Sequence, residues 1–380
     1  MESQSAWSGD GCVRQYLRLH LAEGVGALTF RRLVEHFGSV EAICAAGPPA
    51  LRAVEGVGPK TAAAIAAVDD RAIDEELALA QKHGVKILCR GQGGYPAALD
   101  NIHDPPAVLY VKGQLAPADA VALSVVGSRR CTTYGLEQAE RFGGLAGRAG
   151  LTVVSGGARG IDAAAHRGAL SAGGRTIAVM GCGLCTTYPP ENARLFEQIA
   201  DGRGALLSEL PMRTTVLAGN FPTRNRLISG LSLGVLIVEA AWRSGSLITA
   251  RVALEQGREV LAVPGRVDSP FSAGTNGLIA KGSAAMARDL DDVLAALGAV
   301  GQSLRDGGAT QEAMQPAAPA VELSADEQAL LACLANGELS LDELVRRAAQ
   351  PAAKVTAAMT MLALKGRVRQ LPGGLFAMKR

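Results

Sequence analysis

Two arginines in the stretch VVGSRRCTTYG, Val125 to Gly135, stand where an apolar strand should end and a helix begin. Free amides and a helix N-terminus at such a turn attract anions. A dinucleotide-binding turn continues with further glycines, so that a pyrophosphate can approach the backbone. Here Gly127 is followed by Ser128, Arg129 and Arg130 instead. Comparable clusters follow other apolar runs. They are Ser155, Gly156 and Arg159 in SGGARGID; Phe221, Arg224, Asn225 and Arg226 in NFPTRNR; and Ser244, Gly245 and Ser246 in WRSGSLIT. Lys281 lies in SAGTNGLIAKG, after the last run. Small residues, hydroxyls and cations repeated along one surface suit a chain of phosphates better than a single cofactor. Phe221 adds a flat face on which an unstacked base can lie. Each element also has a plainer reading. Phe221 could cap a helix from the core, Arg226 could pair internally with Glu239 or Glu209, and Arg130 could face solvent. His166, four residues after Asp162 on one helical face, reads better as a satisfied structural histidine than a catalytic one.

These clusters need strand ends to hold them. Between about 118 and 298 the chain alternates apolar runs (VALSVVG, LTVVSGG, TIAVMG, ALLSEL, LGVLIVEA, EVLAVPG) with helical patterns. The runs are nearly continuous, as strands buried on both faces should be. A doubly wound parallel sheet follows, with ligand sites at the carboxyl ends of its strands. In this reading Phe221 precedes the helix TRNRLISGLS. The segment from about 87 to 115 is a connection containing one strand, AVLYVKG.

The first ~70 residues read as short helices. LAEGVGALTFRRLVEHFG and AVEGVGPKTAAAIAAV each carry a Gly-Val-Gly turn before an apolar-faced helix, resembling tandem helix-hairpin-helix motifs. Such a module could bind a DNA backbone through its hairpin amides or serve only for packing. Lys60 and the Arg31-Arg32 pair are the basic groups nearby. Residues 299–322, rich in Ala, Gly, Gln and Pro, read as a linker. Beyond it, three helical patterns and a hairpin around Pro372-Gly373-Gly374 imply a winged helix, with Asp326 and Ser340 as helix caps. The expected boundaries are therefore 1–84, 85–298, 299–322 and 323–380.

The 380 residues are 48% hydrophobic, 19% charged and only 4% aromatic, so the core must be built from small aliphatic side chains. The formal net charge of +2 leaves any basic surface local. The polar first residues carry no signal-peptide pattern and no run is long enough to span a membrane. With seven scattered cysteines, a cytoplasmic protein with reduced thiols is expected. Cys182 and Cys185 form one C-x-x-C without a second ligand pair, so no metal or other cofactor is expected. Neither a phosphate-binding Walker loop, nor a zinc-protease motif, nor a Gly-x-Ser-x-Gly elbow is present.

Seven motifs occur in order: VVGSRRCTTYG, SGGARGIDAAAHRGAL, YPPEN, LLSELP, FPTRNRLISGLS, VEAAWRSGSLITARVALEQGREVLAVPG and GTNGLIAKG. Together, over about 85–290, they resemble the DprA (Smf) family of DNA-processing proteins. The resemblance implies an extended Rossmann-like domain flanked by a helix-hairpin-helix (SAM-like) module and a winged helix. It implies a non-enzymatic protein of natural transformation that binds and protects single-stranded DNA, loads the recombinase RecA, and forms homodimers through the Rossmann-like domain. It makes Arg129 the main phosphate-binding arginine, with Gly127 and Ser128 in its turn and Ser155, Gly156 and Arg159 lining the same pocket. Phe221 becomes a base-contacting aromatic surrounded by Arg224, Asn225 and Arg226; Ser244, Gly245, Ser246 and Lys281 are weaker contacts. Three departures stand out. Thr223 replaces a common arginine, for which Arg213 could compensate; the loop MRTTVLAGN is poor in basic residues; and Cys185 replaces a common aspartate.

Two other functions fit parts of the sequence. The same architecture occurs in nucleotide-processing phosphoribohydrolases of the lysine-decarboxylase-like type. Those need a Pro-Gly-Gly-x-Gly-Thr loop and a catalytic glutamate, whereas this chain has AWRSGSLITA after Glu239. A duplex-reading regulator would use the winged helix, yet PAAKVTAAMTMLALKG has few groups for base edges.

Overall fold

A computed structural model of the chain describes residues 10–312, 324–334, 337–364, 367–371 and 375–378. They form two compact units, divided at residues 310 and 311.

The first unit opens with six helices: α1 (Asp10–Leu21), α2 (Ala27–Phe37), α3 (Val40–Ala45), α4 (Pro48–Leu51), α5 (Pro59–Ala67) and α6 (Asp70–Lys82). The Gly-Val-Gly turns precede α2 and α5, and they embrace one another. A Cβ on Gly24 would lie 2.8 Å from the Thr61 hydroxyl of α5, and one on Gly56 would lie 2.7 Å from Arg32 of α2. Both glycines have φ near +86°, at 87° and 85°, where side chains are strained. The nearby cations are engaged: Lys60 pairs with Glu23, Arg32 with Glu55, and Arg31 with Glu35.

The sheet contains β1 (Val85–Cys89), β2 (Val108–Gly113), β3 (Ala122–Val126), β4 (Thr152–Ser155), β5 (Thr176–Val179), β6 (Gly204–Ser208), β7 (Gly234–Ile237), β8 (Glu259–Ala262) and β9 (Ala285–Met286). Its order is β1-β2-β6-β5-β4-β3-β7-β8-β9. Strands β3 to β9 pair in parallel, while β2 joins β6 antiparallel and β1 joins β2 antiparallel. The segment read as a connection thus supplies a two-stranded antiparallel edge and the single turn α7 (Ala97–Asp100). The α1–α6 helices and this edge share one core, with Leu33, Ile43 and Ile73 packed alongside Ile87, Val108 and Tyr110.

The other helices are α8 (Thr133–Arg148), α9 (Ile161–Ser171), α10 (Ala193–Gln198), α11 (Asn220–Gly230), α12 (Ser246–Glu255), α13 (Ala273–Ala280) and α14 (Leu290–Ala296). One core layer holds Leu227 and Ile228 of α11 with Ala250 and Ala253 of α12. The opposite layer holds Phe142 of α8, Ala164 and Ala165 of α9, and Val293 of α14. Strand order reverses between β3 and β7, so the switch point of this doubly wound fold lies there. The expected linker begins as a helix, α15 (Gly298–Glu312). A local docking explains the difference: Leu304 joins the α8/α9 core and Arg305 donates to the Asp291 carbonyl at 2.6 Å. Residues 313–322 lie outside the described ones.

The second unit contains α16 (Ala325–Leu334), β10 (Leu339–Ser340), α17 (Leu341–Ala348), α18 (Ala352–Leu364), β11 (Val368–Leu371) and β12 (Leu375–Met378), with sheet order β10-β12-β11. This is the expected winged helix, around Leu330, Leu344, Val355 and Met359. Ser340 caps α17 through a reciprocal pair with Glu343. For α16, Ser324 is the cap, accepting from the Glu327 amide; Asp326 instead pairs with Lys354 at 2.8 Å. The turn at Pro372–Gly374 lies outside the described residues.

The α8–α9 contact depends on missing side chains. A Cβ on Gly168 would stand 2.0 Å from the Glu140 carbonyl oxygen, and one on Gly143 would stand 2.3 Å from that of Ala165. Helix propensity favours Gly168→Ala by about 1 kcal/mol. The backbone clash opposes it, and overpacking costs roughly 1–3 kcal/mol. Urea denaturation should therefore find Gly168→Ala less stable than the parent; a stabilised variant would contradict the close approach.

Candidate nucleic-acid interface

At the switch point, the carboxylate of buried Glu239 binds the start of α8. Its Oε2 accepts from the Thr132 amide and its Oε1 from the Thr132 hydroxyl, both at 2.7 Å. The Ser128 amide donates to the Glu239 backbone carbonyl at 2.8 Å. The place where a pyrophosphate would meet this helix is occupied by the chain's own anion. Gly127 is required by crowding, since its Cβ would lie 2.6 Å from Ile161. The Arg130 amide donates back to the Ser128 hydroxyl at 3.1 Å. The tight turn leaves Arg129 and Arg130 exposed.

Arg129 then lies over Phe221, its guanidinium carbon 4.6 Å from the ring centroid. Phe221 sits in the first turn of α11, which starts earlier than the sequence pattern suggested. Tyr188 faces the same ring, centroids 5.9 Å apart and tilted 45°. Arg159 lies over Tyr188 and forms a forked ion pair with Glu191. Arg129, Gly156, Arg159, Gly181, Tyr188 and Phe221 line one shallow hollow at the carboxyl ends of β3, β4 and β5. Gly181 is needed because a Cβ there would lie 2.9 Å from the Phe221 ring. Cations beside stacked aromatics can hold phosphates and splayed bases together.

Not every candidate reaches this hollow. Ser155 is fully buried and donates to the Val125 carbonyl at 2.6 Å. Arg224 is buried, donating to the Gly156 carbonyl at 2.7 Å and to that of Val179. Burial pushes its guanidinium down to about 10, against the opposing pull of Asp162, whose own carboxyl burial pushes up. Arg226 is buried too and pairs with Asp104 at 2.9 Å and with Glu209, one of the two partners considered for it. These two arginines are internal ties, a correction to the arrangement around Phe221. Asn225 does not line the hollow. Ser244 and Ser246 bond one another at 2.8 Å at the start of α12, with Gly245 exposed between them. Lys281 lies 5.3 Å from the Trp242 ring centroid. This group follows β7 and β8 and is separate from the hollow. Thr223 bonds its own helix, donating to the Gly219 carbonyl at 3.2 Å.

Tyr188 was the residue missed. It lay in the quoted motif YPPEN, where an aromatic beside prolines was the available signal. His166 is buried against the Thr176 hydroxyl at 2.7 Å, and burial pushes it down to about 3. Cys182 and Cys185 are free thiols, and among the described residues no group of three His, Cys, Asp or Glu could hold a metal. No described helix is long and apolar enough to cross a membrane.

Comparison with known proteins matches three family descriptions. DNA recombination-mediator protein A matches residues 86–298, the DprA winged helix domain 314–374, and a SAM-like helix-hairpin-helix tandem 18–67. The chain is 41% identical to Protein Smf of Escherichia coli over 286 residues, 75% of each chain. It is 44% identical to DNA processing protein DprA of Streptococcus pneumoniae over 202 residues, 53% of this chain and 70% of that one. The X-ray structure of DNA processing protein A from Streptococcus pneumoniae superposes with a TM-score of 0.64 at 34% identity, covering 74% of this chain and 97% of that one.

The two classes of arginine should separate by stability. Arg224→Met strips a charged donor from two buried carbonyls and should cost at least about 2 kcal/mol. Arg129→Ala, at an exposed position, should stay within about 0.5 kcal/mol of the parent. Chemical denaturation of both variants checks this, and an unchanged Arg224→Met would remove the internal role.

Proposed function

The chain belongs to the DprA/Smf family of DNA-processing proteins, and from that premise we propose that it binds single-stranded DNA in the strand-end hollow as a recombination mediator. The observation that carries this is Arg129 stacked on Phe221, with Tyr188 and Arg159 beside them. Arginines lying over aromatic rings at an open surface suit a ligand that combines phosphates with unpaired bases. A single strand supplies both at short repeats, whereas a duplex hides its base faces. The hollow is open and shallow, as a site for a passing polymer should be. Gly127 and Ser128 shape the turn, and Gly156 leaves room for Arg224. Loading of RecA by a cytoplasmic homodimer joins the proposal on the family resemblance alone.

The nucleotide-processing alternative would need Glu239 as a free acid. Glu239 is 2% exposed and both its oxygens are engaged by Thr132. The protein is therefore read as a binder without catalysis. Released base on incubation with nucleoside monophosphates would overturn that reading.

Affinity for an oligothymidylate, measured by fluorescence anisotropy, should fall steeply with salt. Arg129→Ala should weaken binding to every sequence and reduce the salt slope by about one phosphate. Phe221→Ala should cost roughly 1–3 kcal/mol. If both variants bind as the parent does, the site is elsewhere.

Glu191 competes with any phosphate for Arg159. Glu191→Gln should release Arg159 and tighten single-strand binding a few-fold, most clearly at low salt. Weaker or unchanged binding would take Arg159 out of the interface.

A further inference from the structure

Behind the first turn of α11 lies a second, larger space. It has a volume of about 280 Å³ and separates the helical module from the sheet domain. His20, Val25 and Phe30 line it from the module; Glu209, Pro211 and Arg226 line it from the domain. It is a cleft open to solvent, with exposed Gly26 and Thr223 among its lining residues. Its volume approaches the lower bound of small-molecule pockets, roughly 300 Å³.

Its polar groups are not satisfied by the protein. Arg226, although 8% exposed and paired through Nε and Nη2, keeps Nη1 buried without a hydrogen-bond partner. His20 keeps Nε2 buried without one. Glu209, half-buried, gives one carboxylate oxygen to Arg226. Buried polar groups in native proteins are normally paired, so two incomplete side chains, Arg226 and His20, around one space point to a missing ligand. Burial pushes His20 down to about 4, so near neutral pH it offers a neutral imidazole.

We infer that this cavity receives a purine base. The second Glu209 oxygen accepts from an exocyclic amine, and Arg226 Nη1 donates to a ring nitrogen beside that amine, N1 or N7 of adenine or N3 of guanine. Phe30 and Pro211 supply apolar cover for a flat ring system. The location favours a nucleobase over another heterocycle, because Phe221 and Thr223 of one helix turn line the hollow and the cavity respectively. The base could come from a free nucleoside or from the strand held in the hollow; only the second source rests on the reading proposed above.

Titration calorimetry on the full chain tests the cavity with adenosine, guanosine and purine riboside, which lacks the exocyclic donor. One or both of the first two should bind, and purine riboside should bind at least roughly tenfold more weakly. Ala27→Phe should abolish binding by filling the space, since Ala27 lines it and is only partly buried. No nucleoside binding, or binding unaffected by Ala27→Phe, overturns the free-nucleoside source. A thymidine oligomer with one central adenine or guanine tests the strand source. The purine should raise affinity in the parent and not in Ala27→Phe. Absence of both effects rejects the inference, while unchanged binding of the all-thymidine oligomer to Ala27→Phe leaves the strand-end hollow intact.

Discussion

The carboxylate of Glu239 at the start of α8 is the interaction on which the rest of the site depends. It places a negative charge against the positive end of a helix dipole and satisfies an amide and a hydroxyl there. Its own backbone carbonyl holds the Ser128 amide. The turn after β3 is thereby fixed to the end of β7 across the switch point. With the helix terminus filled from inside, a dinucleotide has no phosphate seat, and the turn's arginines are left to the surface. The same bond that closes one ligand class opens the other.

Space for the hollow comes from side chains that are absent. Gly156 admits Arg224 and Asp162 beneath the loop, and Gly181 admits the Phe221 ring above it. Arg224 then bridges the ends of β4 and β5 through the Gly156 and Val179 carbonyls. The helix that carries Phe221 is held to the sheet from within while Arg129 covers the ring from outside. One motif, NFPTRNR, thus contributes a half-buried aromatic and two buried cations. Arginines four and six residues into a polar run look alike in a sequence. Only the direction of each along a helix decides between solvent and interior, so the burial of Arg224 was not legible, whereas an internal partner for Arg226 was among the alternatives the sequence offered.

The parallel core was legible because its strands are apolar on both faces. Val85–Cys89 was not, since it is a short edge strand whose burial alternates and whose partner lies about twenty residues on. The helix Gly298–Glu312 was hidden for a related reason. Its composition matches a linker, and its docking rests on Leu304, Arg305 and the bare face of Gly301, whose Cβ would lie 1.8 Å from the Leu294 carbonyl. Such contacts have no period to detect. Ser324 displaced Asp326 as a cap because a hydroxyl with Glu three residues later forms a reciprocal pair.

The helical module, with its hairpin cations engaged by its own glutamates, contributes differently from the strand ends. Its α6 reaches into the sheet domain, where Glu76 accepts from the buried Met212 amide at 2.7 Å. That bond anchors the loop between β6 and α11 from the module side. Arg226 anchors α11 from the sheet side through Asp104 and Glu209. With a net charge of only +2, any attraction for a polyanion would be local to a few basic groups. The buried charges Arg224 and Arg226 fix the position of α11 and of the ring it carries.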